Sequence, residues 1–287
     1  MIATVYLNGS LLPATDAQIG LDDGGLLHGA GLFETMRAEA GRIFRLESHI
    51  GRMLSSATKL LRPIDRIQLP SAAVFEDLLR RNGLQHARVR LTVTAGPLSD
   101  DAADPAAPTV FATVSPLKSI VGQGHEAGIG VVICQFRQSA TDPLAGHKTT
   151  SYLPRLLGLR EAQAARRGEA LWFTTQNRLA EGSISNVFVV RGGVLRTPPL
   201  DTPVVPGIAR GIVLELATKA GIPTAEEPLT IDDLLDAEEV FLTNAIMQVV
   251  PVVHVEKKEI GGGRPGAISR RLLDDYRTLV SQECCSA

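Results

Sequence analysis

Residues 145–152 read Ala-Gly-His-Lys-Thr-Thr-Ser-Tyr, and Glu181-Gly182-Ser183-Ile184-Ser185-Asn186 and Pro206-Gly207-Ile208-Ala209-Arg210 follow in that order. Taken alone, each segment has an ordinary reading: a surface lysine, a solvated turn, a helix start. Taken together they supply what one cofactor needs. Lys148 can hold an aldehyde as a Schiff base, Glu181 can keep a ring nitrogen protonated, and the glycine turn that opens a helix at Gly207 can cradle a phosphate dianion. Aldehyde, ring nitrogen and phosphate together describe pyridoxal 5'-phosphate, so the order of these segments points to an enzyme that uses it.

Outward from these segments, apolar periodicity predicts helices over 152–166, through Leu156, Leu159 and Ala162, and over 208–220, closed by Gly221. Residues 187–190 and 194–195 read as a hairpin across Gly192-Gly193, and 130–134, 239–243 and 249–255 as further strands. Thr230-Ile231-Asp232-Asp233 resembles a capping box before a short helix, residues 256–266 read as an exposed loop, and 267–280 as a terminal helix.

Toward the N-terminus, residues 4–7 and 10–13 pair as strands around Asn8-Gly9. Gly24, Gly25, Gly29 and Gly31 loosen the backbone before a strand over 32–38. Helices are expected over 46–61 and 70–82, then a strand over 87–94 with Val89, Leu91 and Val93 inward, and another over 109–114. Gly122 and Gly124 interrupt the apolar pattern between Pro116 and Ala127. The expected domains are therefore 1–117, a linker over 118–127, and 128–287.

Composition narrows the class. At 44% hydrophobic and 21% charged, the chain is an ordinary folded protein of 287 residues. A formal charge of -2 gives a polyanion no reason to bind, so no nucleic acid partner is expected. Cys134, Cys284 and Cys285 make no disulfide framework, no metal site is expected, and no run reaches membrane-spanning length. With no export segment at the start, a cytoplasmic enzyme is the simplest expectation.

The ordered motifs resemble the class IV aminotransferase-like proteins, the fold type IV family of pyridoxal phosphate enzymes. The resemblance runs from Leu7 to about Val253 through residues 22–37, Phe44-Arg45-Leu46-Glu47-Ser48-His49-Ile50-Gly51-Arg52, and residues 148–152, 181–188, 206–210 and 243–251. It implies a mixed α/β fold of the D-amino acid aminotransferase type. That fold has a small N-terminal α/β domain, a larger C-terminal domain around a barrel-like sheet, the cofactor between them, and normally a homodimer.

The resemblance also assigns roles. Lys148 carries the Schiff base and moves the substrate's α-proton, Glu181 faces the pyridine nitrogen, and Tyr152 lies near the cofactor's phenolic oxygen. Arg52 contacts the phosphate, with Arg45 a second candidate and His49 beside them at helical spacing. Backbone at Gly207, Ile208 and Ala209 completes the phosphate cup, with Asn244 and Ala245 alongside. His28, Arg90, His147 and Arg155 are candidates for binding a small amino substrate that carries a carboxylate.

Two reactions share this apparatus. Residues 32–37 and 243–251 resemble 4-amino-4-deoxychorismate lyases more than branched-chain aminotransferases, and the absence of hydroxyls at Ala209 and Ala245 leans the same way. The resemblance therefore implies elimination of pyruvate to give p-aminobenzoate, a step toward folate. The alternative is amino transfer from branched-chain L-amino acids or D-amino acids to 2-oxoglutarate. Ala95 speaks against the lyase, because many lyases and D-amino acid aminotransferases carry an arginine there, and its absence removes a carboxylate handle for which Arg88, Arg90 or Arg155 are the candidates to compensate.

Overall fold

The computed structural model describes residues 3–98, 107–117 and 120–285. Strands β1 (Thr4–Leu7), β2 (Ser10–Pro13), β3 (Gly31–Glu39), β4 (Arg42–Ile43), β5 (Ala87–Thr94) and β6 (Val110–Pro116) form an antiparallel sheet in the order β2-β1-β6-β5-β3-β4. The strand period of two sends Val89, Leu91 and Val93 to one face of β5, where all three are fully buried. A short helix α1 (Gly24–His28) precedes β3, and helices α2 (Leu46–Leu60) and α3 (Ala72–Arg81) cover that face. Ile50, Met53 and Ala57 from α2 and Phe75, Leu78 and Leu79 from α3 meet Met36, Ala38 and the β5 valines in one core. Each large side chain buried there is worth roughly 1.5–3 kcal/mol, which is what holds two amphipathic helices to the sheet.

The chain forms two compact units. The first comprises residues to Leu117 together with His147–Ser151 and residues from Val280, and the second takes Lys118–Gly146 and Tyr152–Leu279. His147–Ser151 joins the first unit through its backbone. Phe33 N donates to Lys148 O at 2.9 Å, Thr150 N donates to Gly31 O at 2.8 Å, and Thr149 bridges Leu32.

In the second unit, helix α4 (Ile120–Ala127) leads into β7 (Ile129–Gln138), and helix α5 (Leu153–Ala164) into β8 (Glu169–Thr174), β9 (Leu179–Gly182), β10 (Asn186–Arg191) and β11 (Val194–Thr197). Helix α6 (Ile208–Lys219), β12 (Thr224–Glu226), α7 (Ile231–Leu235), β13 (Glu239–Asn244), β14 (Gln248–Val255), β15 (Lys258–Glu259) and α8 (Ala267–Cys285) follow. The strands form a curled, half-barrel-like sheet ordered β12-β11-β10-β13-β14-β7-β8-β9, with β15 on β14. Val131, Leu171, Val187, Val189, Val240 and Leu242 fill one core, and Val132, Cys134, Ala162, Ala170 and Trp172 a second against α5. None of the described helices is long and apolar enough to cross a membrane.

Three local expectations change. Most of the stretch read as a linker, 118–127, is helix α4, because its two glycines lower helix propensity without preventing a helix. Residues 24–28 are helical rather than loose: Asp23 caps them, accepting from Gly25 N at 2.7 Å. Residues 256–266 do not form a simple exposed loop, since β15 pairs back on β14 and buries Ile260.

Candidate active site

Lys148 sits against the first residues of β3. Its Nζ lies 4.6 Å from the centroid of the Phe33 ring, and the Arg90 guanidinium lies 3.8 Å from the same centroid. Gly31 makes this approach possible: a Cβ there would fall 2.8 Å from Thr150 Oγ1 and 3.0 Å from Val93 O. His147 is held from the other side, sharing a 2.8 Å hydrogen bond with Ser56 Oγ on α2, and burial depresses its pKa. His28 is exposed at the end of α1.

Helix α2 brings a second group to this unit. Arg52 Nε donates to Glu34 Oε1 at 2.8 Å and Arg52 Nη2 to Oε2 at 2.5 Å, a two-pronged pair. His49 Nδ1 lies 2.7 Å from Glu34 Oε2. Burial opposes ionisation of Glu34, but Arg52 and His49 outweigh it and hold the carboxyl at about 2. Burial lowers the His49 pKa against the pull of Glu34, so the ring is neutral near pH 7 and Nδ1 carries the proton it donates. Arg52 is thus fixed by a buried carboxylate. Arg45 does not join this group: it is the N-cap of α2 with a left-handed φ of 54°, and it pairs with Glu283 at 2.8 Å.

In the second unit, β9 carries Glu181 next to its last residue, with the side chain 4% exposed. Its Oε1 accepts from Arg155 Nη2 at 2.6 Å, and its Oε2 from Val205 N at 2.9 Å and Asn186 Nδ2 at 3.5 Å. A carboxylate offers about four acceptor directions, so one on Oε1 remains for a further donor. Asn186 Nδ2 also donates to Val205 O at 2.9 Å, and its Oδ1 lies 1.9 Å from where a Cβ on Gly207 would stand. Position 207 therefore has to be glycine for Asn186 to reach Glu181. Gly207 caps α6 without any side-chain acceptor, leaving the first-turn N–H groups at Ile208 and Ala209 suited to an anion. Thr243 Oγ1 is buried with no partner among the described residues, one residue before Asn244. Asn244 Oδ1 accepts from Ile246 N and Met247 N, which shapes the loop containing Ala245. Tyr152 OH donates to Ser183 O at 2.9 Å.

Arg155, read as a substrate candidate, is committed elsewhere. Besides Glu181 it donates to Gln138 Oε1 at 3.0 Å and Gly182 O at 3.3 Å, and it lies 4.6 Å over the Trp172 ring.

Two carboxylates here went unassigned in the sequence: Glu34, on β3, and Glu169. Glu169, fully buried on β8, accepts from Ala170 N, Ser183 N, Ile184 N and Ser185 Oγ at 3.0–3.3 Å, pinning the turn after Glu181. Burial pushes its pKa up to about 7 despite these donors. An acid whose folded pKa exceeds its unfolded value near 4.5 holds more protons when folded, so its contribution falls as pH rises from about 4.5 to about 7. Glu169→Gln should flatten that decline, worth about 3 kcal/mol at most. Thermal melts from pH 5 to 8 would show it, and parallel curves for variant and parent would refute the assignment.

Glu34, Arg52, Lys148, Glu181, Gly207 and Thr243 fall within the segment 31–255 that matches the family model for amino-transferase class IV. The chain belongs to that family. It is 34% identical over 279 residues to a Methanocaldococcus jannaschii protein provisionally named a branched-chain-amino-acid aminotransferase, with 96% of each chain covered. It is 27% identical to the D-alanine aminotransferase of Listeria monocytogenes, covering 98% of this chain and 97% of that protein. Among solved structures, the T.th. branched-chain amino acid aminotransferase with pyridoxamine 5'-phosphate superposes with a TM-score of 0.88 at 26% identity, covering 98% of this chain and 95% of that one. This class IV chain is therefore an enzyme, and its homology supports pyridoxal phosphate as cofactor.

The residues present fit that cofactor. Lys148 offers the amine, Glu181 keeps one acceptor direction open, Gly207 opens a helix without a side-chain cap, and Thr243 Oγ1 is an orphaned buried hydroxyl. A surface hollow of about 500 Å³ in the first unit, lined by Asn8, Gln18, Gln68 and Thr109 among others, shares no residue with this set.

Proposed function

We propose that the chain is a pyridoxal phosphate-dependent aminotransferase acting on branched-chain L-amino acids or D-amino acids, with 2-oxoglutarate as acceptor. Relatives covered almost end to end, with names of that kind, support transfer over the lyase reaction expected from the sequence. The observation that carries the substrate class is the shared Phe33 ring. The Arg90 guanidinium and the Lys148 amine lie 3.8 and 4.6 Å from its centroid, which puts a cation suited to a substrate carboxylate on the same ring as the amine. Arg90 then supplies the carboxylate handle that Ala95 lacks.

Pyridoxal phosphate, when bound, supplies an aldehyde that carries the amino group and a ring that takes up electron density. Lys148 Nζ would be the group to take up and return the substrate's α-proton. Glu181 Oε1 would be the acceptor for the ring nitrogen, and Arg52 and the N–H groups of Ile208 and Ala209 would be the phosphate's partners. A homodimer is the oligomer this family membership favours.

The second reading, 4-amino-4-deoxychorismate lyase, is favoured by the likeness of residues 32–37 and 243–251 to such lyases and by the absence of hydroxyls at Ala209 and Ala245. A side-by-side assay separates the two. Branched-chain L-amino acids and D-alanine are expected to turn over only with 2-oxoglutarate present. Equal p-aminobenzoate and pyruvate from aminodeoxychorismate without any keto acid, and no transfer, would establish the lyase instead.

A further inference from the structure

We propose that Arg155 is a positioning residue that lowers the proton affinity of the cofactor's ring nitrogen by partly cancelling the charge of Glu181. The inference rests on the use of pyridoxal phosphate proposed above. Arg155 projects from α5, and its Nη2 sits 2.6 Å from Glu181 Oε1, the oxygen that keeps an acceptor direction open. The pair is shielded, with side chains 18% and 4% exposed, so the guanidinium's field at that oxygen is only partly screened by water.

The guanidinium is held in one orientation. Gln138 Oε1 and Gly182 O accept from it, and the Trp172 indole lies 4.6 Å beneath it. Trp172 is itself fixed by donating to Ser183 Oγ at 2.9 Å and by stacking on Phe136. The other carboxylate of this turn, Glu169, is consumed by Ala170, Ser183, Ile184 and Ser185. With Glu169 held largely protonated below about pH 7 by its burial, the charges paired directly with each other here are one glutamate and one arginine. A glutamate alone would favour a protonated ring more strongly, while a cation next to it works against a second positive charge. Arginine here trades some of the ring's electron-withdrawing power for a ring proton that is more easily lost.

The two possible roles of Arg155 differ in sign. If it served only to hold Glu181 in place, removing it would let the carboxylate drift and leave the ring nitrogen less protonated. If it offsets the charge of Glu181, removing it leaves the nitrogen more protonated. The test reconstitutes the holoenzyme with pyridoxal phosphate carrying ¹⁵N in the ring and follows the ¹⁵N shift over pH. In Arg155→Met the ring-nitrogen titration should move up by about one pH unit, a roughly tenfold change in the protonated-to-neutral ratio. Arg155→Lys keeps the charge and should stay near the parent.

An unchanged or lowered titration in Arg155→Met overturns the inference, as does an Arg155→Lys shift as large as that of Arg155→Met. Far-UV circular dichroism reports whether each variant keeps the native fold, because the emission of Trp172 responds to Arg155 itself. Should Arg155→Met lose the native spectrum, Arg155→Gln carries the same comparison. Wild-type protein that retains no pyridoxal phosphate overturns the functional reading itself, a result distinct from a holoenzyme whose ring nitrogen ignores Arg155.

Discussion

Lys148→Ala is expected to abolish covalent attachment of pyridoxal phosphate and to reduce turnover by roughly 10⁴-fold or more, the scale of losing a positioned proton-transfer group together with the amine that holds the cofactor. The alanine variant keeps the backbone hydrogen bonds from Phe33 N and to Gly31 O, because these use main-chain atoms of Lys148 and Thr150. The fold should therefore survive and the loss should be chemical. Borohydride reduction of the wild type followed by peptide mass analysis should place the adduct on the peptide carrying Lys148. One competitor is Lys59, whose charge reaches His147 from α2. An adduct on Lys59 that persists in Lys148→Ala would refute the assignment.

The legible parts of this chain were those in which one short segment carries its own signal. Val89, Leu91 and Val93 announce a strand by alternation, and Ile50, Met53 and Ala57 announce a helix by their spacing. Lys148, Glu181 and Gly207 announce chemistry through residue type and order. Partnerships across the fold gave no such signal. Glu34 and Arg52 are 18 residues apart on a strand and a helix, and Arg155 and Glu181 are 26 apart. Nothing in local composition tells a buried glutamate that organises an arginine from an exposed one on a strand edge. The glycines before β3 were read as loosening the chain, whereas Gly31 is there for closeness, to admit the backbone of residues 148–151. Arg155 shows the same limit. Its residue type suited a substrate carboxylate, but its environment gave it to Glu181.

The Glu34–Arg52 pair yields the second large effect. Arg52→Ala leaves a carboxylate with a 1% exposed side chain facing a neutral histidine, and breaking a buried pair from one side costs about 3–5 kcal/mol. The downward displacement of the Glu34 pKa from 4.5 to about 2 has the matching sign, since Arg52 and His49 together favour the ionised carboxylate over its burial cost. The sign with pH follows. The folded wild type binds fewer protons at Glu34 than the unfolded chain does, so this stability is fully present above pH 4.5 and is lost as pH falls toward 2. In Arg52→Ala burial is no longer outweighed, and Glu34 takes up a proton more readily when folded than when unfolded. The penalty relative to wild type should therefore be largest near pH 7 and shrink steadily as pH falls toward 2. Denaturant melts of both proteins at about pH 7 and pH 3 measure it directly, and an equal penalty at both would mean the loss is one of packing rather than charge. Cofactor retention should fall with Arg52→Ala and fall less with Glu34→Gln, which removes the group that orients the guanidinium but keeps the guanidinium itself. Glu34 and Glu169 pull the stability curve in opposite directions, the first weakening the fold toward acid and the second toward neutrality. Combining Glu34→Gln with Glu169→Gln should then remove both slopes at once.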